Sequence, residues 1–413
     1  MAKKFDIPDI YHSRIIKKIK FARQITDPRK KDLAPVEVNF GDVTFLVPRH
    51  FGFCYGVENA IDIAYRTVEE NPGKRIFLLS EMIHNPTVNQ DLLNRGVQFL
   101  FDTDGTVRIP IDSLESDDIV IVPAFGTTVE IQNQLADRGI DPYQYNTTCP
   151  FVEKVWKRGK QLGNKGNTLV IHGKYQHEET RATFSHTAQH APCIVVLNPK
   201  EAHLLADYML GKKSMDTFAD DFKHKCTPGF DPQNDLKKFG VINQTTMLAT
   251  ETKEIMQIMR EAAIEKFGEA EIEQHFADTS DTLCYATNEN QSATLSLLDC
   301  KADLALVVGG YNSSNTMHLV ELLESKYPTY HIRDAAEMIT PSEIRHFNQW
   351  DKKIHTSEDW LTVADAPLRI VITSGASCPD ALVDEVILRV LDWFPNVRDV
   401  EEVLAEFDVP ENN

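Results

Sequence analysis

Seven times along the chain a short apolar run gives way to a small or polar loop, then to a segment with apolar residues at helical spacing. The instances are VTFLVPRHFGFCYGVENAIDIAY, RIFLLSEMIHNPTVNQDLL, DIVIVPAFGTTVEIQNQLA, TLVIHGKYQHEETRATFSH, GVINQTTMLATETKEIMQIM, LALVVGGYNSSNTMHLVELL and RIVITSGASCPDALVDEVIL. Runs such as LALVVG and RIVIT are short and β-branched, as strands buried on both faces of a parallel sheet are. After the last of them Val383, Val386, Ile387 and Val390 recur at the helical period. This alternation implies an α/β fold. Seven units are too many for one small sheet, and a length of 413 residues suggests two or three domains.

Two stretches interrupt the pattern, 201–238 and 345–367. Both are polar and carry prolines or charges, so they read as surface excursions. No apolar run approaches the ~18–20 residues a membrane helix needs. The N-terminus lacks an apolar signal core, and Asp6 and Asp9 do not suit a transit peptide. A cytoplasmic protein that binds no membrane is expected. The net charge of −19 opposes broad nucleic-acid binding, which needs a basic surface. The first 31 residues are the exception, with Lys3, Lys4, Arg14, Lys17, Lys18, Lys20, Arg23, Arg29, Lys30 and Lys31. They read as a helix or arm packed on the body, or as a docking site for an acidic partner.

In open α/β sheets, ligands bind beyond the carboxyl ends of the strands. The seven loops there hold Cys54; His84 and Asn85; Gly126, Thr127 and Thr128; His177, Glu178 and Glu179; Gln244, Thr245 and Thr246; Asn312, Ser313, Ser314 and Asn315; and Ser374, Gly375, Ala376 and Ser377. Ser, Thr and Asn cap helices of every kind. Several such loops at equivalent strand ends also offer free N–H groups and positive dipole ends, which suit a phosphate or diphosphate. Neither G-x-x-x-x-G-K-[ST] nor G-x-G-x-x-G is present.

The seven cysteines are odd in number, scattered and without a C-x-x-C pair, so no disulfide framework or zinc ribbon is implied. Cys54, Cys149 and Cys284 each follow a strand or extended segment and precede a helical pattern. Cys193 and Cys300 read as packing residues. Three strand-end thiolates suit an iron–sulfur cluster with one iron left open as a Lewis acid; zinc is the alternative.

Taken in order, GFCYGVENAI, EMIHNPTVNQDLLNRGV, TTCPFVEKV, HEETRAT, NQTT, CYAT, VVGGYNSSN and TSGASCPD resemble 4-hydroxy-3-methylbut-2-enyl diphosphate reductase, the last enzyme of the non-mevalonate isoprenoid pathway. The resemblance runs from about Thr44 to about Leu391 and is nearest the longer cyanobacterial and plant-type members. It implies three small parallel-sheet α/β domains around a central [4Fe–4S] cluster, divided as 44–149, 150–282 and 283–395. A basic extension (1–43) precedes them and an acidic tail (396–413) follows. It implies that Cys54, Cys149 and Cys284 bind the cluster. His84, His177, Ser313, Ser314, Asn315 and Ser377 would hold the diphosphate, Glu179 would deliver the proton, and Thr245 would lie near the substrate hydroxyl.

The implied reaction converts an allylic alcohol diphosphate, with two electrons and two protons, to isopentenyl and dimethylallyl diphosphates and water. No flavin or nicotinamide motif is present, so the electrons would come from a carrier such as ferredoxin or flavodoxin. Two departures stand out. His177-Glu178-Glu179 replaces a common His-Pro-Glu; register assigns the acid to Glu179, with Glu178 as the alternative. Phe125, in PAFGTT, stands where many bacterial members have a diphosphate-contacting histidine, which leaves Thr127 or Thr128 as substitute donors. A hydro-lyase that only removes water, and a redox sensor, are the competing readings.

Overall fold

The computed structural model describes residues 5–277, 279, 282–361 and 367–408. All seven expected strand–loop–helix units are present among them. The chain forms two compact units.

The first unit comprises the described parts of Met1–Glu58, His84–Val88 and Tyr285–Asn413. Its sheet runs in the order Val36–Asn39, Val43–Val47, Leu368–Ser374, Leu304–Val308, Thr329–Ile332. The first pair is antiparallel; the others are parallel, with Phe45 opposite Ile370 and Leu306 opposite Ile372. Val43–Val47 and Leu304–Val308 are buried along their whole length, because helices cover both faces of a parallel sheet. Phe45, Leu306, Ile370 and Ile372 meet Val383, Val386 and Val390 of the Asp380–Leu391 helix in one core.

Val43–Val47, expected at the head of the 44–149 segment, thus pairs inside the sheet of the 283–395 segment. Its apolar run fits between its own hairpin partner, Val36–Asn39, and Leu368–Ser374, which lies more than 300 residues further along the chain. Strand order within a parallel sheet is not written in local periodicity.

The second unit holds Asn59–Ile83 and Asn89–Cys284. It contains two parallel sheets. One has the order Gln98–Phe99, Ile76–Leu78, Ile119–Ile121. The other has the order Cys193–Val196, Thr168–His172, Phe239–Asn243, Phe276–Ala277. Among the described residues there are therefore three α/β sheets.

The 201–238 stretch is not a surface excursion. Leu205, Tyr208, Met209, Phe218, Phe222, Phe230 and Leu236 are buried in one core with Val170, Val241 and Met259. The helices Pro199–Met209 and Phe218–Asp221 carry Leu205, Tyr208, Met209 and Phe218, and the segments that flank Phe218–Asp221 and Pro232–Asp235 add Phe222, Phe230 and Leu236, while most of the charges between them face out. The second polar stretch lies at the surface only in part: Lys353–Glu358 pairs with Glu343–Asn348 in a hairpin and is almost wholly exposed, but Trp360 and Leu361 are buried in the core of the first unit. Residues 362–366 of that stretch lie outside the described residues.

Candidate functional site

In the first unit, the loops after Val43–Val47, Leu304–Val308 and Leu368–Ser374 emerge at one edge of the sheet. Ala376 ties them together. Its carbonyl accepts the N–H of Cys54 at 3.2 Å, and its N–H donates to the side-chain oxygen of Asn315 at 2.8 Å. Asn290 donates to that same oxygen at 3.5 Å. Two donors fix the orientation of the Asn315 amide. Its nitrogen is left buried without a partner among the described residues. A buried, unpaired amide donor carries a desolvation cost of about 1–3 kcal/mol that an anionic oxygen would remove.

Around Asn315 stand the other candidates of this unit, His84, Ser313, Ser314 and Ser377, all buried. Ser377 donates through its hydroxyl to the carbonyl of His84 at 3.2 Å. Ser313 caps the Ser314–Glu324 helix, accepting the N–H of Thr316 at 3.2 Å. Capping uses only an oxygen lone pair and leaves the hydroxyl hydrogen uncommitted by the cap. Gly310 packs directly on the His84 carbonyl, where a methyl group would overlap the backbone. The NSSN loop can therefore approach His84 only with glycine there.

In the second unit, His177 caps the Glu178–Ala188 helix. Its Nδ1 accepts the N–H of Glu179 at 3.2 Å, so a neutral ring carries its hydrogen on Nε2. Phe125 meets the His177 ring edge-on at 5.6 Å. The two adjacent carboxylates point to different places. Glu178 accepts a hydrogen bond from Ser80 and borders a cavity of about 160 Å³ with Thr127, Thr128 and Arg181. Glu179 is buried and accepts the N–H of Thr245 at 2.5 Å.

Gln244, read from the sequence only as one of the strand-end loop residues, holds the HEET and NQTT loops together. Its carbonyl oxygen accepts the N–H of Lys174 at 3.1 Å and the hydroxyl of Thr180 at 3.0 Å.

The three cysteines share one local design. Cys54 precedes the Tyr55–Glu70 helix, Cys149 is the N-cap of Pro150–Gly163, and Cys284 precedes Tyr285–Leu297. The backbone holds each loop: Cys149 donates to Ala124 at 2.9 Å and Cys284 to Thr245 at 3.5 Å. Burial pushes the Cys149 thiol up to about 11, and the charges of Cys284 and Glu179 push the same way. The structure thus brings Cys149, Cys284, Glu179, Thr245 and His177 together in the second unit. Cys54, His84, Ser313, Ser314, Asn315 and Ser377 belong to the first.

Among the described residues, no three or more His, Cys, Asp and Glu side chains converge as they would on a single metal ion. The donor set does fit an iron–sulfur cluster. It consists of thiols at helix N-termini, where thiolates are favoured. The burial that opposes a bare Cys149 thiolate would be offset by a cationic iron centre.

Comparison with known proteins gives a consistent answer. The LytB protein family model matches residues 45–391. The 4-hydroxy-3-methylbut-2-enyl diphosphate reductase of Crocosphaera subtropica is 41% identical over 353 residues, 85% of each chain. That of a Synechococcus strain is 42% identical over 356 residues, 86% of this chain and 85% of the relative. Two solved structures share the fold. The reductase from Plasmodium falciparum has a TM-score of 0.61 at 19% identity, covering 89% of this chain and 98% of that one. A second structure, of a reductase that is the terminal enzyme of the non-mevalonate pathway, has a TM-score of 0.50 at 23% identity, covering 85% of this chain and 99% of that one. The chain belongs to the LytB family of 4-hydroxy-3-methylbut-2-enyl diphosphate reductases.

Proposed function

We propose that this chain reduces (E)-4-hydroxy-3-methylbut-2-enyl diphosphate to isopentenyl and dimethylallyl diphosphates. Two electrons and two protons enter, the C–O bond breaks and water leaves. The observation that carries the reading is the placement of Glu179: a buried carboxyl against the Thr245 backbone, within electrostatic reach of the thiol of Cys149.

Cys54, Cys149 and Cys284 would hold a [4Fe–4S] cluster. When bound, that group supplies the electrons and an open iron that polarises the C–O bond. The protein's own residues do the rest. His84, Ser313, Ser314 and Asn315 supply donors for the diphosphate, and the buried Asn315 nitrogen is the one most in need of an acceptor; Ser377 would join them by turning its hydroxyl from the His84 carbonyl. His177 would add its Nε2 hydrogen. Phe125 cannot donate; its ring contributes by fixing the His177 imidazole from the side. Glu179, protonated, delivers its proton to the departing hydroxyl oxygen, while the Thr245 N–H holds the carboxyl in place. Glu178 faces Ser80 and the side cavity, which favours Glu179 as the acid.

No helix among the described residues is long and apolar enough to cross a membrane. Reducing equivalents would come from a carrier such as ferredoxin or flavodoxin.

The test is an anaerobic assay of the purified protein on the allylic diphosphate, with and without a low-potential reductant. Formation of both isoprenyl diphosphates only with reductant is expected. Substrate loss without reductant would support the hydro-lyase instead, and no turnover in either condition would overturn an enzymatic role.

A further inference from the structure

Residues 5–26 precede the region matched by the family model, yet they are built into the first unit. The Ile15–Thr26 helix is capped from far along the chain. Asp384, in the Asp380–Leu391 helix, accepts the N–H groups of Arg14, Ile15 and Ile16 at 2.6, 2.9 and 3.0 Å and the Ser13 hydroxyl at 2.7 Å. Ile15, Ile16 and Ile19 lie wholly in the core.

From this base three side chains reach the residues flanking Cys54. Lys20 donates to the Phe51 carbonyl at 2.9 Å and to both oxygens of Asp380 at 2.8 and 2.7 Å. Its ammonium also lies 4.3 Å from the Phe51 ring centre. Tyr11 meets Phe53 edge-on at 6.0 Å, and Phe5 meets Tyr55 edge-on at 5.0 Å. Gly52 turns between them with φ of +77°, and a methyl group there would overlap the Asp380 carboxylate. Every aromatic residue of Phe51–Tyr55 thus has a partner from the N-terminal segment. The residue they surround is Cys54.

We propose that this segment is a clasp that positions the Cys54 loop, with Lys20 as its central positioning residue. The inference rests on the reading of Cys54 as a cluster ligand. A ligand on a loop leaves its metal when the loop moves. The Lys20 contacts and the two aromatic pairs must break before this loop does.

The test uses the full chain in two states. In the metal-free protein, alkylation by iodoacetamide is followed at Cys54 and Cys149 by mass spectrometry. In the anaerobically loaded protein, iron loss to a chelator is followed. Lys20→Met is expected to speed both Cys54 alkylation and iron loss roughly fivefold, with Cys149 alkylation unchanged. Lys20→Arg, which keeps the cation, is expected to restore both. Phe5→Ala, at the chain's edge, keeps the test open should Lys20→Met misfold, and is expected to change them in the same direction. Lys18→Met, whose ion pair is with Asp408, is the control and should change neither.

Parental rates in Lys20→Met and Phe5→Ala would overturn the clasp. Equal acceleration at Cys54 and Cys149 would mean general loosening and would also overturn it. Faster alkylation without faster iron loss would sever the clasp from the cluster. Cys54→Ser separates the premise: full iron content in that variant would refute Cys54 as a ligand, independently of Lys20.

Discussion

Replacing Glu179 by glutamine separates chemistry from architecture. The amide keeps an oxygen in the place of the one that accepts the Thr245 N–H at 2.5 Å. In the state in which the carboxyl is ionised, before it takes up the proton it delivers, that bond changes from charge-assisted to neutral, a loss of about 1 kcal/mol. Against this, the variant no longer buries an ionisable group, which offsets part of the loss. The net change in stability should stay within about 1 kcal/mol, or roughly 1 °C in Tm for a chain of this size. Turnover should behave differently, because glutamine has no proton to give. Loss of a positioned general acid costs on the order of 10²–10⁴ in rate, about 3–5 kcal/mol of barrier. The assay is anaerobic product formation with reductant in excess, alongside iron content and thermal melting. Parental iron and near-parental Tm with turnover down at least a hundredfold, the lower end of that range, is the expected result. Turnover within about threefold of the parent, a barrier change under ~1 kcal/mol, would refute the proton-donor role. Loss of iron would show that Glu179 acts through the fold instead.

Three further outcomes follow from named contacts. Asn315→Asp keeps the oxygen that accepts the Ala376 N–H but puts negative charge in place of the buried donor; KM for the diphosphate should rise on the order of a hundredfold with little change in Tm. Asp384→Ala removes the cap of the Ile15–Thr26 helix and leaves three N–H groups without it, so denaturant unfolding should show a loss of about 2–4 kcal/mol. His331, fully buried, has its pKa lowered to about 4 by burial. The unfolded chain therefore binds the extra proton between about pH 4 and 6.5, and stability falls on acidification through that window. His331→Gln should flatten that slope, by as much as about 1.4 kcal/mol per pH unit; an unchanged slope would contradict the assignment.

Much of this was legible in the sequence because it was local. Strand runs such as LALVV are buried whole and need only a short apolar window to be seen. The loops were legible because helix caps use a small set of residue types; Ser313 is both a cap and a candidate ligand, and the sequence alone could not weigh the two roles. What was hidden depended on distant partners. Strand Val43–Val47 joins a sheet made mostly of residues beyond 300. The 201–238 stretch looked polar because its buried residues, among them Phe218, Phe222 and Phe230, are spaced between charges. Register favoured Glu179 over Glu178 as the acid, but their separate partners, Ser80 for Glu178 and the Thr245 N–H for Glu179, come from segments distant in sequence and were not legible. Lys20 carried a hint in its place on a basic, amphipathic N-terminal helix, but nothing in that helix named Phe51 or Asp380.

The most direct test of the central claim is the iron and sulfide content of the anaerobically purified protein, compared with Cys54→Ser, Cys149→Ser and Cys284→Ser. About four irons and four sulfides per chain, with each serine variant losing the cluster or holding it far more weakly, is the expected result. A parent chain without sulfide, or a full cluster retained in any one of the three variants, would contradict it.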